Sequence, residues 1–432
     1  MLRKAARWFQ AGDTDAAAAL CRHVLAGEPD NAAALHILGL AAGQAGNHGA
    51  AIGLLERALR SNPAVGSGSL VAALRNQALT VQAEGRPAAA IALFRQAQTL
   101  APEDPFLKLG EAMARLLTGD FAAGWAGYRW RWQLPHIHKA TPVYPRPAWA
   151  GEVLRGRTLL LWPEQGLGDT LQFIRYAGLV RERGATVLFR CPPELFRLLE
   201  GHPHIDRLCR PEEALPPFDC HAPLLDLPHL CGTILATIPA GVPYLAADPG
   251  RAAAWAQRIA GYPGLKVGLV WAGNPRRHDP DVNADHRRRS IPLSRFTALA
   301  GLGNVTFFSL QKGDGAEQAR HPPPELGLID FTADLHDFAD TAALVASLDL
   351  VITIDTSVVH LAGALARPVW LLSRYGGCWR WMLGRDDSPW YPTLRLFRQA
   401  APDDWAAVMQ QVKAALRDRL TQHPHTRVPH TC

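Results

Sequence analysis

The chain has 432 residues, which at roughly 150 residues per domain implies two or three domains rather than one core. Hydrophobic residues at 48% and charged residues at 19% supply packed cores and exclude a mainly disordered chain. Net charge is +6, yet only six of the 45 basic residues are lysine, and the one short basic cluster, His286 to Arg289, is not the aromatic-interleaved stripe of a nucleic-acid binder. In chain order, Met1 to Gln10 carries Arg3, Lys4 and Arg7 with no apolar stretch behind them, so no secretory signal is expected. No run of 18 apolar residues occurs anywhere, which removes a spanning helix and leaves at most a peripheral membrane contact.

The first third repeats itself. Leu35, Leu38, Gly39, Ala42, Gly46, Ala51, Leu55, Ala58 and Pro63 fall at helical spacing, with Gly46 between two helices and Pro63 after the second. The frame recurs at Leu74, Ala78, Val81, Gly85, Ala90, Phe94, Ala97 and Pro102. Gly12, Gly46, Gly85 and Gly119 stand in register with Pro29, Pro63 and Pro102, offset once by a Gly/Ser-rich insertion at Ala64 to Leu70. This resembles the tetratricopeptide repeat, in which small residues let two helices approach and the proline ends the second. The first unit begins at the fourth position of its frame. The last, Pro105 to Trp132, is degenerate, with Trp125, Tyr128, Trp130 and Trp132 in place of small residues, and these aromatics are expected to cap the array against the next domain. An α-solenoid of this kind over residues 1–132 offers a groove for a protein or peptide and no chemistry of its own.

Residues 133–156 contain Pro135, Pro142, Pro145 and Pro147 and read as a stiff linker without helical period. From there α/β patterns alternate. Thr158 to Trp162 is a strand, followed by the loop Glu164-Gln165-Gly166-Leu167-Gly168-Asp169 and a helical pattern through Leu171, Ile174, Leu179 and Val180. Strands at Thr186 to Phe189 and near Cys220 to Leu224 complete a small half over 157–247. A larger half over 264–400 has strands at Lys266 to Trp271, Val305 to Leu310, Leu350 to Ile354 and Pro368 to Leu372. Leu344 to Leu348 lies on a helix, and Asp404 to Leu420 forms a closing helix within 402–421. Continuous apolar strands alternating with helices predict parallel sheets covered on both faces, with ligands beyond the strands' carboxyl ends.

Two loops lie at such ends. Gly166-Leu167-Gly168 lacks the third glycine of a dinucleotide fingerprint, which disfavours a nicotinamide enzyme. Its glycines permit close backbone approach, and Asp169 stands at a helix start, either as a cap or as a general base facing the cleft. The second loop, Asp355-Thr356-Ser357, presents hydroxyls and unpaired N–H groups where the helix carrying His360 begins, a site suited to a diphosphate. His360 itself is open to two readings, a ligand or a satisfied core histidine. Trp379-Arg380-Trp381 and Trp390-Tyr391-Pro392 suit core packing better than stacking on a sugar or base.

The run Asp355-Thr356-Ser357-x-x-His360-Leu361-Ala362-x-Ala364-Leu365-x-x-Pro368-Val369, with Gly168-Asp169 earlier, resembles the heptosyltransferase-type glycosyltransferases of family 9, over roughly Arg157 to Gln399. The resemblance implies a GT-B module of two Rossmann-like halves and inverting transfer from a nucleotide-sugar. It implies that Asp169 stands at the base position, with Gln165, Gly166 and Gly168 in the acceptor-side loop. On the donor side it implies that Asp355 touches the sugar and Thr356, Ser357 and His360 the diphosphate. Asn274, at the end of the first strand of this half, joins the donor-side set, and Gln311-Lys312 after the second strand either reach the phosphates or ribose or form a solvated loop. The family's basic phosphate ligand before Trp-Pro falls at Arg289-Ser290-Ile291-Pro292, so Arg replaces Lys and Ile replaces Trp. The small half is shorter than in the lipopolysaccharide enzymes, which leaves the acceptor open.

No metal or cofactor is expected: Asp279-Pro280-Asp281 lies in a polar loop, and the 17 histidines show no paired ligand spacing. Cys21, Cys191, Cys209, Cys220, Cys231, Cys378 and Cys432 form no C-x-x-C pair and read as reduced thiols of a cytoplasmic protein. The expected function is transfer of a sugar to a protein held by the repeats. Two rivals are a saccharide heptosyltransferase tethered by its repeats and a non-catalytic scaffold.

Overall fold

A computed structural model describes residues 1–65, 67–275 and 286–422. It divides into two compact units, Met1–Thr141 together with Cys378–Leu383, and the remainder. Asp279-Pro280-Asp281 and Cys432 lie outside the described residues.

The first unit is a run of antiparallel helix pairs: α1 (Leu2–Gln10) with α2 (Thr14–Gly27), α3 (Ala32–Gln44) with α4 (His48–Ser61), α5 (Gly68–Ala83) with α6 (Pro87–Leu100), and α7 (Pro105–Thr118) with α8 (Phe121–Tyr128). The four register glycines are the turns within these pairs. Gly12, Gly46, Gly85 and Gly119 all have φ between 74° and 87°, the left-handed region that a side chain disfavours. Each turn closes identically: the N–H after the glycine reaches five residues back, as in Asn47 to the Ala42 carbonyl at 2.9 Å and Asp120 to Arg115 at 3.0 Å. Asp13, Asn47 and Asp120 then cap the next helix with their side chains. At Arg86 no side-chain cap forms, and Pro87 opens α6 instead. Close packing also follows the small residues, since a Cβ on Gly39 would lie 2.8 Å from Leu55 Cγ.

The aromatic residues of the last pair are buried against a segment distant in sequence. Trp125 meets Trp379 edge to face at 5.2 Å, and Tyr128 lies 6.1 Å from the same ring. Trp379 and Trp381 are both buried, as core packing requires. Spacing assigns Cys378–Leu383 to the larger α/β half, whereas the structure clusters it with the unit that holds the repeats and runs to Thr141.

The second unit holds two wholly parallel sheets. The smaller has β1 (Thr158–Trp162), β2 (Thr186–Arg190), β3 (Arg207–Cys209) and β4 (Cys220–Pro223) in the order β3-β2-β1-β4. The larger has β5 (Leu265–Val270), β6 (Val305–Ser309), β7 (Ile329–Asp330), β8 (Leu350–Ile354), β9 (Val369–Ser373) and β10 (Leu394–Arg398) in the order β10-β9-β8-β5-β6-β7. Counted within its own half, that is the 3-2-1-4-5-6 order of the Rossmann fold, with its switch point between β5 and β8. The strands that periodicity did not reveal, β3, β7 and β10, all lie at sheet edges. They are short or carry arginine, because an edge needs no continuous apolar run.

The helices that position the site are α9 (Leu167–Phe173), α10 (Tyr176–Glu182), α11 (Pro249–Ile259), α12 (Phe338–Ala346), α13 (Ser357–Ala364) and α14 (Trp405–Gln422). One sequence expectation is corrected. The Pro-rich stretch is not wholly linker: Pro135–Ala140 is helical, and the Trp149 N–H donates to the His221 carbonyl at 2.8 Å, which joins its end to the small sheet. The closing helix α14 buries Trp405, Val408, Met409, Val412 and Leu416 in the core of the larger half, with Lys413 bonded to the Ala300 carbonyl, because its apolar stripe matches that core. The halves are tied by ions as well: Arg197 and Arg251 both reach the buried carboxylate of Asp340, at 2.8 and 2.9 Å.

Candidate functional site

The residues singled out by motif lie beyond the carboxyl ends of parallel strands. After β1 the chain turns sharply, with Gln165 at φ 64°, a conformation rare for a residue with a side chain. The Gly166 N–H then donates to Asp169 Oδ2 at 2.9 Å, which closes the first turn of α9. Asp169 therefore caps its helix. A carboxylate has a second oxygen and further acceptor capacity, so the cap does not by itself consume the group.

After β8 the arrangement differs. Thr356 is the N-cap of α13, its Oγ1 accepting from the Val358 N–H at 3.3 Å, and Ser357 is the first helical residue. Asp355 is partly exposed between them and the strand. Arg289 crosses the switch point: its Nη1 donates to the Asp355 carbonyl at 3.0 Å, while its guanidinium occupies the space a side chain on Gly273 would fill. Its Nε is buried and has no hydrogen-bond partner among the described residues. A cation, an orphaned N–H donor and a helix start thus converge where β5 and β8 part, as an anion site requires.

Other predicted donor residues are committed elsewhere. The Gln311 side chain is buried, accepts from the Trp271 and Ala272 N–H groups at 3.0 and 2.8 Å, and donates to the Ala272, Lys312 and Asp314 carbonyls. That leaves its amide no free donor for a ligand, and its work is to shape the end of β5. Lys312 is exposed and donates to the Thr332 carbonyl at 2.8 Å. Asn274 stands exposed just past the β5 end.

The two loops meet. A Cβ on Gly168 would lie 3.0 Å from His360 Cδ2 and 3.3 Å from Ser357 Cα, so only glycine lets α9 and α13 approach this closely. His360 is buried, with Nδ1 2.9 Å from the Tyr391 hydroxyl. Beneath it lies a cluster that motif reasoning missed. The buried Arg175 donates to the carbonyls of Gln172, Pro239 and Trp390 and to the Tyr244 hydroxyl, with its guanidinium 4.3 Å from the Tyr244 ring and 4.6 Å from that of Tyr391. Trp390 and Tyr391 are fully enclosed, and burial pushes the Tyr391 phenol well above its ordinary range. Tyr176, bonded to Thr233, is pushed up by the same cause. One signal was available: Arg175 is a lone charge inside the apolar run Leu171 to Val180.

The chain is a tetratricopeptide-repeat solenoid followed by two Rossmann-like halves whose strand ends face each other, the arrangement of a GT-B fold. The tetratricopeptide-repeat family model matches residues 9–78. Protein FlbA of Caulobacter vibrioides is 32% identical over 355 residues, 73% of this chain and 56% of that protein, so the chain spans little more than half the length of the curated relative it matches. Among solved structures, a family 9 glycosyl transferase from Veillonella parvula has a TM-score of 0.46 at 11% identity, over 63% of this chain and 99% of that one. The E. coli ADP-heptose lipopolysaccharide heptosyltransferase II has a TM-score of 0.44 at 13% identity, over 61% and 99%. No described helix is long and apolar enough to cross a membrane.

Proposed function

We propose that the second unit is an inverting, metal-independent glycosyltransferase that moves a sugar from a nucleotide-sugar to an acceptor hydroxyl, on a protein held by the repeats. The observation that carries the reading is the close approach of Gly168 to His360, where an added Cβ would lie 3.0 Å from Cδ2, which brings the carboxylate loop of one half against the helix start of the other. Asp169 takes the proton of the acceptor hydroxyl. The freed oxygen attacks the anomeric carbon, and the bond from that carbon to the diphosphate oxygen breaks. Arg289, the N–H groups at the start of α13 and His360 receive the negative charge that develops on the departing nucleoside diphosphate. Asp355 accepts hydrogen bonds from hydroxyls of the donor sugar.

No cofactor takes part in this scheme; the nucleotide-sugar is a substrate. The reaction belongs in the cytoplasm, where thiols stay reduced, and no disulfide joins the described cysteines. The repeats favour a protein acceptor over a lipid headgroup, since a helical groove reads a peptide by its side chains. The test is a thermal-shift panel of nucleotide-sugars on the full chain. One donor at saturation raises the melting temperature, by the linkage of binding to folding. If no nucleotide-sugar does so, the transferase reading fails.

A further inference from the structure

A second arginine, besides Arg175, crosses from the small half to the larger one. Arg197 stands on the helical turn Phe196–Leu199 and its guanidinium grips two carboxylates at the start of α12. Its Nε donates to Asp337 Oδ2, and its Nη2 donates to Asp340 Oδ2 at 2.8 Å. The turn follows β2, and α12 follows β7, so the grip lies on the same side of each sheet as that sheet's motif loop, beyond the carboxyl ends of the strands. No step of the chemistry above uses it.

What distinguishes this grip is what each carboxylate keeps when the arginine leaves. Asp337 is the N-cap of α12, and its Oδ1 accepts from the Ala339 and Asp340 N–H groups at 2.9 and 3.2 Å. Asp340 Oδ1 accepts from Arg251 Nη1 at 2.9 Å, and its Oδ2 accepts from the His336 N–H at 3.1 Å as well as from Arg197. Arg251 belongs to α11, which is fastened to the larger half by the Ser347 hydroxyl on the Ala252 carbonyl at 3.0 Å, by Arg258 on Asp334 at 2.7 Å and by Trp255 against Phe331. Breaking a buried ion pair is costly when it strands a charge. Departure of Arg197 strands none: both carboxylates keep partners from their own side. Arg197, its side chain 39% exposed against 7% for Asp340, passes to water. The tie at Arg175 is of the other kind, a buried guanidinium on the Pro239 and Trp390 carbonyls. It lies close in sequence to the crossing between the halves, where the Tyr244 and Leu245 N–H groups reach the Ala364 carbonyl at 3.1 and 3.3 Å.

We propose that Arg197 with Asp337 and Asp340 is a releasable ionic clasp that holds the crevice between the halves shut, with the contacts of Arg175 and of the Ala364 carbonyl as its pivot. Arg251 is the retained counterion, which keeps the buried Asp340 charge compensated when the clasp opens. An arginine suits the task, because its planar fork meets two carboxylates at once in a fixed geometry, which a lysine ammonium does not. The clasp is ionic and partly exposed, so it loosens as added salt shortens the Debye length from about 10 Å at 0.1 M to about 3 Å at 1 M. The clasp itself does not rest on the function proposed above; its consequence, control of substrate entry and product exit at the motif loops, does.

The test is the distance distribution between two nitroxide labels, measured by pulsed electron paramagnetic resonance on the full chain. Cysteines replace the exposed Arg207 of the small half and Glu325 of the larger half, and serines replace Cys231, Cys378 and Cys432, so that the remaining, buried cysteines stay unlabelled. At low salt one short distance is expected. Arg197→Ala adds a longer one, and so does about 1 M sodium chloride with Arg197 in place. Salt adds nothing further to Arg197→Ala, because both act on one contact. Arg251→Ala gives a different pattern, a lower melting temperature without the longer distance. A distribution that salt leaves unchanged overturns the proposal with every side chain of the cluster present, since the contact is then a fixed tie. A distribution unmoved by Arg197→Ala overturns it too, as does an Arg251→Ala chain that opens as far as Arg197→Ala. If the distances behave as stated and no nucleotide-sugar raises the melting temperature, the transferase reading falls and the clasp stands; if a nucleotide-sugar does so and the distances stay fixed, only the clasp falls.

Discussion

In the small half a parallel strand ends at Trp162 and a helix starts at Leu167; in the larger half a parallel strand ends at Ile354 and a helix starts at Ser357. The backbone device is the same, and the side chains give it opposite character. At α9 a carboxylate, Asp169, bonds back to the Gly166 N–H and places negative charge at the positive end of the helix. At α13 a neutral hydroxyl, Thr356, takes the cap, and a cation, Arg289, lies alongside on the Asp355 carbonyl. In the proposed reading the first helix start serves the proton acceptor and the second the leaving group. They come together at Gly168, where an added Cβ would lie 3.0 Å from His360 Cδ2.

The sharpest way to break this contrast is Asp169→Asn. Turnover is expected to fall by about 10²–10⁴-fold while the donor-induced rise in melting temperature persists; full transfer activity in that variant removes the division of labour. Arg289→Ala tests the opposite pole. Donor affinity measured by calorimetry is expected to weaken by about ten- to hundredfold, the loss of a charged hydrogen-bond donor, with the apo protein equally stable.

Gln311→Ala separates shape from charge, since it leaves the Trp271 and Ala272 N–H groups without their acceptor. Urea unfolding is expected to show a loss of about 2 kcal/mol. An unchanged midpoint means that Gln311 does not hold the β5 end. The smallest effect is Thr356→Ala, a lost N-cap, at about 1 kcal/mol of stability. If it lowers donor affinity more than Arg289→Ala does, then the hydroxyl and not the cation is the principal anion ligand.

The repeats and the site differ in how far they could be read from residue order. Gly12, Gly46, Gly85 and Gly119 were legible because each answers a local demand, a left-handed turn that glycine meets at least cost. The central strands were legible because both of their faces are buried, which makes their sequences continuously apolar. The Asp169 and Thr356-Ser357 positions were visible as strand, loop and helix start. The commitment of Gln311 to backbone was not, because its partners lie 39 and 40 residues away. Nor was the cluster under His360, whose Arg175, Tyr244 and Tyr391 bonds span 69 and 147 residues.

Residue order alone was enough for the helical repeat, the parallel α/β character and the two strand-end loops, since periodicity, turn residues and helix caps act over a few positions. Which loop faces which, where Trp379 is buried and which half α14 completes were decided by packing. Such contacts join residues far apart in the chain, and their free energy comes from burial and from satisfied polar groups that exist only once the whole has folded.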